Sequence, residues 1–220
     1  MAFFSHSKTE KMNNFIKEAC VGNLQESLRA EEKGADRLEL CANLEVGGTT
    51  PSEELILQAK QQVTIPLRIM IRPRGGDFVY SEAELEEMRT SIKFCKKAGV
   101  EAVVFGILKP DNSLNIEEMA ELARLAAPLK VVIHKAIDLT PDPVAAMESL
   151  KTIEEVATVL TSGGKPTAFE GRENLKKMLE IGGRKIEIMP GGKVSEANVE
   201  ELHHILNARA YHGKLIVGDL

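Results

Sequence analysis

Tryptophan is absent from this chain of 220 residues, and all aromatics together make up 4% of it. Platforms on which bases or sugar rings could stack are therefore few. Basic residues are not in excess either. The 28 Lys and Arg face 33 Asp and Glu, for a formal charge of −5 and a pI near 5.7. That balance argues against a nucleic-acid partner, which would call for a basic surface. No apolar run approaches the ~20 residues needed to cross a bilayer, and Met1 to Asn14 holds no apolar signal core. No membrane partner is expected, and a cytoplasmic location is. Cysteine is scarce: Cys20, Cys41 and Cys95 cannot all pair, and a chain of this length needs no disulfides, so reduced thiols are expected. CxxC and CxC spacings, the dinucleotide fingerprint, the phosphate-binding loop and the serine elbow are missing, which excludes nucleotide-dependent chemistry and serine hydrolysis.

What is present is a regular alternation. Hydrophobic residues reach 43%, enough for a sizeable core. Strand-like runs fall at about 14–21, 36–41, 66–73, 100–108, 129–138, 155–162, 185–190 and 208–212, and helical patterns at about 24–33, 52–62, 81–98, 116–127, 142–153, 171–181 and 195–207. Thr50-Pro51-Ser52-Glu53 and Ser81-Glu82-Ala83-Glu84 read as helix starts with capping boxes, and Thr140-Pro141 and Ser195 as further N-caps. Seven βα units and an eighth strand predict an α/β fold, a compact (β/α)8 TIM barrel forming a single domain over 1–220, with 1–13 as a flexible N-terminal arm. Only Lys214 to Leu220 follow the eighth strand, so the closing eighth helix is expected to be short or absent. A partner subunit, or the N-terminal arm, would then cover the flank, and a homodimer or higher homo-oligomer is expected.

Charged residues inside apolar strands carry the functional signal. Strand side chains alternate faces. The inward faces then hold Glu18, Glu39, Arg68, Arg72, His134, Asp138 and Glu187, with His134 and Asp138 sharing one face of strand five. Buried charge is costly unless it is paired or used. One reading is an ion-pair layer around Glu18 and Arg68. The other is acid–base chemistry, for which Glu39, His134, Asp138 and Glu187 are the catalytic candidates.

Glycine pairs follow several strands. Gly163-Gly164 and Gly191-Gly192, with Arg72 and Arg74, are candidates to hold an anion through freed backbone amides and guanidinium groups. Tight turns after strands need glycine in any case, so the structural reading stays open. Cys20 and Cys41 each stand two residues after an inward Glu and read as equivalent positions on adjacent strands. At a strand spacing of about 4.8 Å, two thiolates could share one soft metal such as Cu(I). Met70, Met189 or His134 could add a ligand. Buried free cysteine is also a common packing residue.

Several segments together resemble the CutC family of copper homeostasis proteins. They are Arg37-Leu38-Glu39-Leu40-Cys41 running into Val46-Gly47-Gly48-Thr49-Thr50-Pro51-Ser52, Met70 to Ser81 with its Ile-Arg-Pro-Arg-Gly-Gly-Asp-Phe core, Val104-Phe105-Gly106, His134 to Asp138, Leu160 to Gly163, and Ile188 to Gly192. The likeness covers roughly 14–212. It implies a TIM barrel, a cytoplasmic homo-oligomer, and a role in copper tolerance or trafficking through Cu(I) binding, with Cys20 and Cys41 as metal ligands. A second class stays beside it: an enzyme acting by acid–base chemistry on a small anionic metabolite, phosphorylated or carboxylated.

Overall fold

The computed structural model describes residues 15–220; the expected arm at 1–13 lies outside them. Eight strands alternate with seven α-helices. The strands are β1 Ile16–Val21, β2 Arg37–Leu40, β3 Leu67–Met70, β4 Ala102–Phe105, β5 Lys130–Ile133, β6 Val156–Thr161, β7 Glu187–Pro190 and β8 Ala210–Gly213. The helices are α1 Leu24–Glu32, α2 Glu53–Gln62, α3 Glu82–Ala98, α4 Ile116–Ala126, α5 Pro143–Leu150, α6 Arg172–Gly182 and α7 Val199–Leu206. All ladders are parallel, in the order β7-β6-β5-β4-β3-β2-β1-β8. The two end strands, β7 and β8, pack side by side and leave the barrel nearly closed.

Local chemistry explains the helix ends. Ser81 begins α3 with a full capping box: its hydroxyl accepts from the Glu84 amide, and Glu84 accepts from the Ser81 amide at 2.7 Å. Ser52, not Thr50, caps α2 through the Leu55 amide, and no box forms there, because the Thr50 hydroxyl accepts from the Arg72 amide at 2.8 Å instead. Two further expected starts move by a few residues. Asp142, not Thr140, caps α5, and α7 begins after Asn198 rather than at Ser195. In the first case a carboxylate in extended backbone can reach two free amides, those of Val144 and Ala145.

Outward strand residues such as Leu38, Ile69, Val103, Val131 and Val159 are buried under the helices. Inward residues form layers, as packed barrel interiors do. Val104, Val132, Leu160 and Met189 fill the middle. The outer flank of β8 has no helix after it among the described residues. Its outward Tyr211 is nevertheless fully buried, against Phe15 at 5.1 Å and His203 at 5.7 Å between ring centroids. Ile216 and Val217 also turn inward. Phe15, just before β1, thus does part of the covering that a closing helix would do.

Candidate metal and ligand site at the barrel mouth

The lower end of the barrel is a closed ionic network. Glu18 pairs through Oε2 with the Arg37 guanidinium and, at 3.2 Å, with Arg68. Arg37 also meets Glu187 at 3.0 Å, and Arg68 meets Glu101 at 3.2 Å. Thr158 accepts from Arg68 and donates to Glu187, each at 3.3 Å. Burial pushes the Glu18 carboxyl up, but the His212 hydrogen bond and the Arg37 and Arg68 charges outweigh it and hold its pKa at about 2. Glu187, expected among the catalytic candidates, sits in this floor at the start of β7, away from the strand ends where barrel chemistry occurs.

The mouth is different. Glu18 spends its second oxygen upward, accepting from His212 Nδ1 at 2.9 Å. His212 Nε2 lies 3.6 Å from Glu39 Oε2. One ligand atom each from Cys20, Glu39 and His212 lies within 4.8 Å of the others. The Cys41 thiol contacts Glu39 Oε2 at 3.7 Å. The hydrogen bond from Cys41, the largest influence on Cys20, holds the Cys20 thiol well below its usual range, while the same contact and burial push Cys41 up. The shared contact therefore favours ionisation of Cys20 over Cys41. Burial pushes His212 down, but the Glu39 charge and the Cys20 and Glu18 hydrogen bonds raise it above its ordinary value. Burial drives Glu39 up to about 8 against the pull of His212. Its Oε1 is buried with no partner.

Strand register corrects one expectation. Cys20 stands opposite Glu39, not Cys41. The stagger that closes a barrel shifts each strand along its neighbour, so Cys41 lies one inward layer above Cys20's cross-strand partner. Both cysteines still line one cavity, but from positions diagonal to each other.

The expected site residues divide into three groups. Cys20, Cys41, Glu39, His134 and Arg72 line one small cavity of about 140 Å³, with Met70, Phe78 and His212. Gly192 stands at the rim, where a wider cavity of about 690 Å³ is lined by Gly192, Lys193 and Lys135; the Gly191 amide is spent on the Thr161 carbonyl at 2.9 Å. The rest serve the loops. Asp138 does not share a strand face with His134: β5 ends at Ile133, and Lys135–Leu139 wind into a 3-10 turn, where alternation no longer applies. Asp138 accepts instead from the amides of Ser162 and Gly164 at 2.9 and 2.8 Å. The Gly163 amide donates to Thr161 Oγ1 at 2.9 Å, so the Gly163-Gly164 amides are occupied within the protein. Arg72 donates to the carbonyls of Val46, Gly48 and Gly76 at 3.0, 2.9 and 2.7 Å. Arg74 is held by Glu84, Asp77 and the Val79 carbonyl. Arg72 thus ties the loop after β2 to the loop after β3, and Arg74 braces the loop after β3.

His134 caps the 3-10 turn: Nδ1 accepts from the Ala136 amide at 3.2 Å. That leaves Nε2 carrying the proton, and it is buried with no partner. Burial and then the Arg72 charge lower the His134 pKa to about 3, so the ring is neutral. Sequence reasoning missed His212. The signal was the same alternation used elsewhere: with Tyr211 outward, Ala210 and His212 must face inward beside Ile16 and Glu18.

The close cluster at the mouth offers a sulfur, an imidazole nitrogen and a carboxylate oxygen, and Cys41 adds a second sulfur to the lining of the same cavity; the sulfur and nitrogen donors suit a soft cation. His212 has its other ring nitrogen fixed by Glu18, the outer carboxylate contact common behind metal-bound histidines.

Comparison with known proteins gives a consistent picture. The model of the CutC family matches residues 15–216. A copper homeostasis protein cutC homolog of Homo sapiens is 40% identical over 205 residues, 93% of this chain and 75% of the relative. The Mus musculus counterpart is 39% identical over 211 residues, covering 96% and 77%. Among solved structures, the CutC protein of Streptococcus agalactiae superposes with a TM-score of 0.87 at 32% identity, covering 92% of this chain and 99% of that one. A phosphoribosylanthranilate isomerase from Thermotoga maritima, at 16% identity and a TM-score of 0.57 over 90% and 86%, shares the fold alone.

Proposed function

The chain belongs to the CutC family, and from that premise we propose that it is a copper homeostasis protein whose cargo, Cu(I), is held at the barrel mouth by Cys20, Cys41 and His212. One observation carries the reading: ligand atoms of Cys20 and His212 lie within 4.8 Å of each other, in a cavity that Cys41 also lines. A monovalent soft ion prefers thiolate sulfur and tolerates imidazole. His134 lines the same cavity, but His212 is the histidine in the close cluster and takes the place first considered for His134. Glu18 orients the His212 ring through Nδ1, leaving Nε2 for the ion. Glu39 completes the close cluster, and its carboxylate oxygen is a harder, less preferred donor for a soft ion than the sulfurs.

Three free cysteines fit a reducing compartment, and on this reading the protein works in the cytoplasm. No helix among the described residues is long and apolar enough to cross a membrane. Self-association belongs to the same proposal, and light scattering on eluting protein tests it. The central test is anaerobic Cu(I) titration against a competing chelator, with wild type beside Cys20→Ser/Cys41→Ser. One tight equivalent is expected, lost in the double variant. Cysteine-independent binding would overturn the assignment.

A further inference from the structure

The copper reading leaves two observations at the mouth unused. The first is a pair of stranded polar atoms. His134 Nε2 and Glu39 Oε1 are both buried without a hydrogen-bond partner, on residues only 4% and 2% exposed. Both residues line the inner cavity of about 140 Å³. Stranding a buried donor or acceptor costs about 1–3 kcal/mol, so such groups point to a missing partner. His134 offers a proton, because its Nδ1 already accepts from Ala136. One ligand hydroxyl can accept from His134 Nε2–H and donate to Glu39 Oε1, as a hydroxyl carries both functions.

The second is the character of the outer cavity. It measures about 690 Å³ and shares Cys20, Gly47, Lys135 and His212 with the inner one, so the two are continuous. Lys135, Lys193 and Lys214 line it and no acidic side chain does, in a chain whose overall charge is −5. Lys135 is held in place by Ser162 Oγ at 2.5 Å and Asp138 Oδ2 at 3.1 Å. Gly192 has φ +96°, and a Cβ there would lie 3.0 Å from the Ser162 side chain and 3.3 Å from Lys135 Nζ. Lys193 follows with φ 56°, left-handed backbone that is unusual for a lysine. The amides of Gly192 and Lys193 donate no hydrogen bond among the described residues. Successive free amides in such a turn form a concave site for anions.

We propose that the barrel mouth binds a small hydroxylated phosphate monoester, its phosphate among Lys135, Lys193, Lys214 and the Gly192 amide and a hydroxyl between His134 and Glu39. Lys135 is paired with Asp138, but Lys193 and Lys214 add two further positive charges to a lining without acidic side chains, which favours a dianion over a single carboxylate. The inner compartment adds selectivity through one hydroxyl. This goes beyond the copper reading and does not depend on it, since Lys193 and Lys214 lie outside the proposed metal donors.

Calorimetry on the metal-free protein tests it, with glycerol 3-phosphate, inorganic phosphate and glycerate as probes. Glycerol 3-phosphate is expected to bind about ten-fold more tightly than either of the others. Lys193→Gln/Lys214→Gln changes only exposed side chains; it is expected to weaken that binding about ten-fold and to leave anaerobic Cu(I) affinity unchanged. His134→Asn, which keeps an acceptor for the Ala136 amide, is expected to erase the preference for glycerol 3-phosphate over inorganic phosphate. Equal affinity for those two in wild type would overturn the hydroxyl contact. Glycerate binding as tightly as the phosphate ester would overturn the phosphate assignment. Absence of saturable binding at millimolar probe, or unchanged binding in the lysine variant, would overturn the site. None of these outcomes bears on whether Cys20 and Cys41 bind Cu(I).

Discussion

Glu18 and Glu39 are the same residue type, face the same interior from adjacent strands and are both almost completely buried. Their surroundings set them apart. Glu18 lies between two guanidinium groups and a histidine, and is held as a carboxylate with a pKa of about 2. Glu39 meets two thiols and the far side of that histidine, and burial raises it to about 8. The floor is a solved electrostatic problem in which the principal oxygens and guanidinium groups have partners. The mouth leaves Glu39 Oε1 and His134 Nε2 open. A closed network reads as architecture and an open one as a site, although the sequence pattern that produces them is identical.

Four experiments would break or sharpen that contrast. The largest effect is expected for copper: Cys20→Ser/Cys41→Ser should lower Cu(I) affinity by orders of magnitude in the chelator competition and leave the denaturation midpoint nearly unmoved. Next, Glu18→Gln should destabilise the protein by about 3–5 kcal/mol in urea denaturation, because it leaves Arg37 and Arg68 buried and under-compensated. A loss below about 1 kcal/mol, the range of a surface pair, would mean that the floor is not the closed network described.

His134 gives a pH dependence. Its folded pKa is about 3 against an ordinary 6.5. Below pH 6.5 the unfolded chain takes a proton that the folded one refuses. This contribution to stability is therefore whole above that pH and is lost progressively as pH falls toward 3. The slope approaches ~1.4 kcal/mol per unit. His134→Asn should show a shallower loss than wild type between pH about 6 and about 4.5; parallel curves would contradict a buried neutral ring. The smallest effect is expected for Glu39→Gln, within about 1 kcal/mol of wild type at neutral pH, because burial already pushes this carboxyl toward its neutral form, for which glutamine is an isostere. A loss as large as that of Glu18→Gln would erase the distinction between the two ends.

Much of this was legible in the chain. Alternation within strands placed Glu18, Glu39, Cys20, Cys41 and His134 on the interior before any coordinates, because side chains on a strand must take opposite faces. It would have placed His212 too, had the eighth strand been treated like the first. It misled at Asp138, where the backbone leaves the strand for a 3-10 turn and the period of two no longer holds. The guanidinium groups of Arg72 and Arg74 were equally ambiguous, since the same group holds a ligand anion or a row of carbonyls.

The sequence by itself determined the barrel, the family and the inward set of polar residues, since these follow from local periodicity and motif. Only the tertiary structure decided which of those residues are spent on one another. Arg37 reaches Glu187 across 150 positions of chain, and His212 reaches Glu18 across 194. Barrel closure and strand stagger set those encounters, and neither is written in any one segment. Pairing energy depends on separations of a few ångströms, so whether a buried charge is structural or functional is settled where the strands meet.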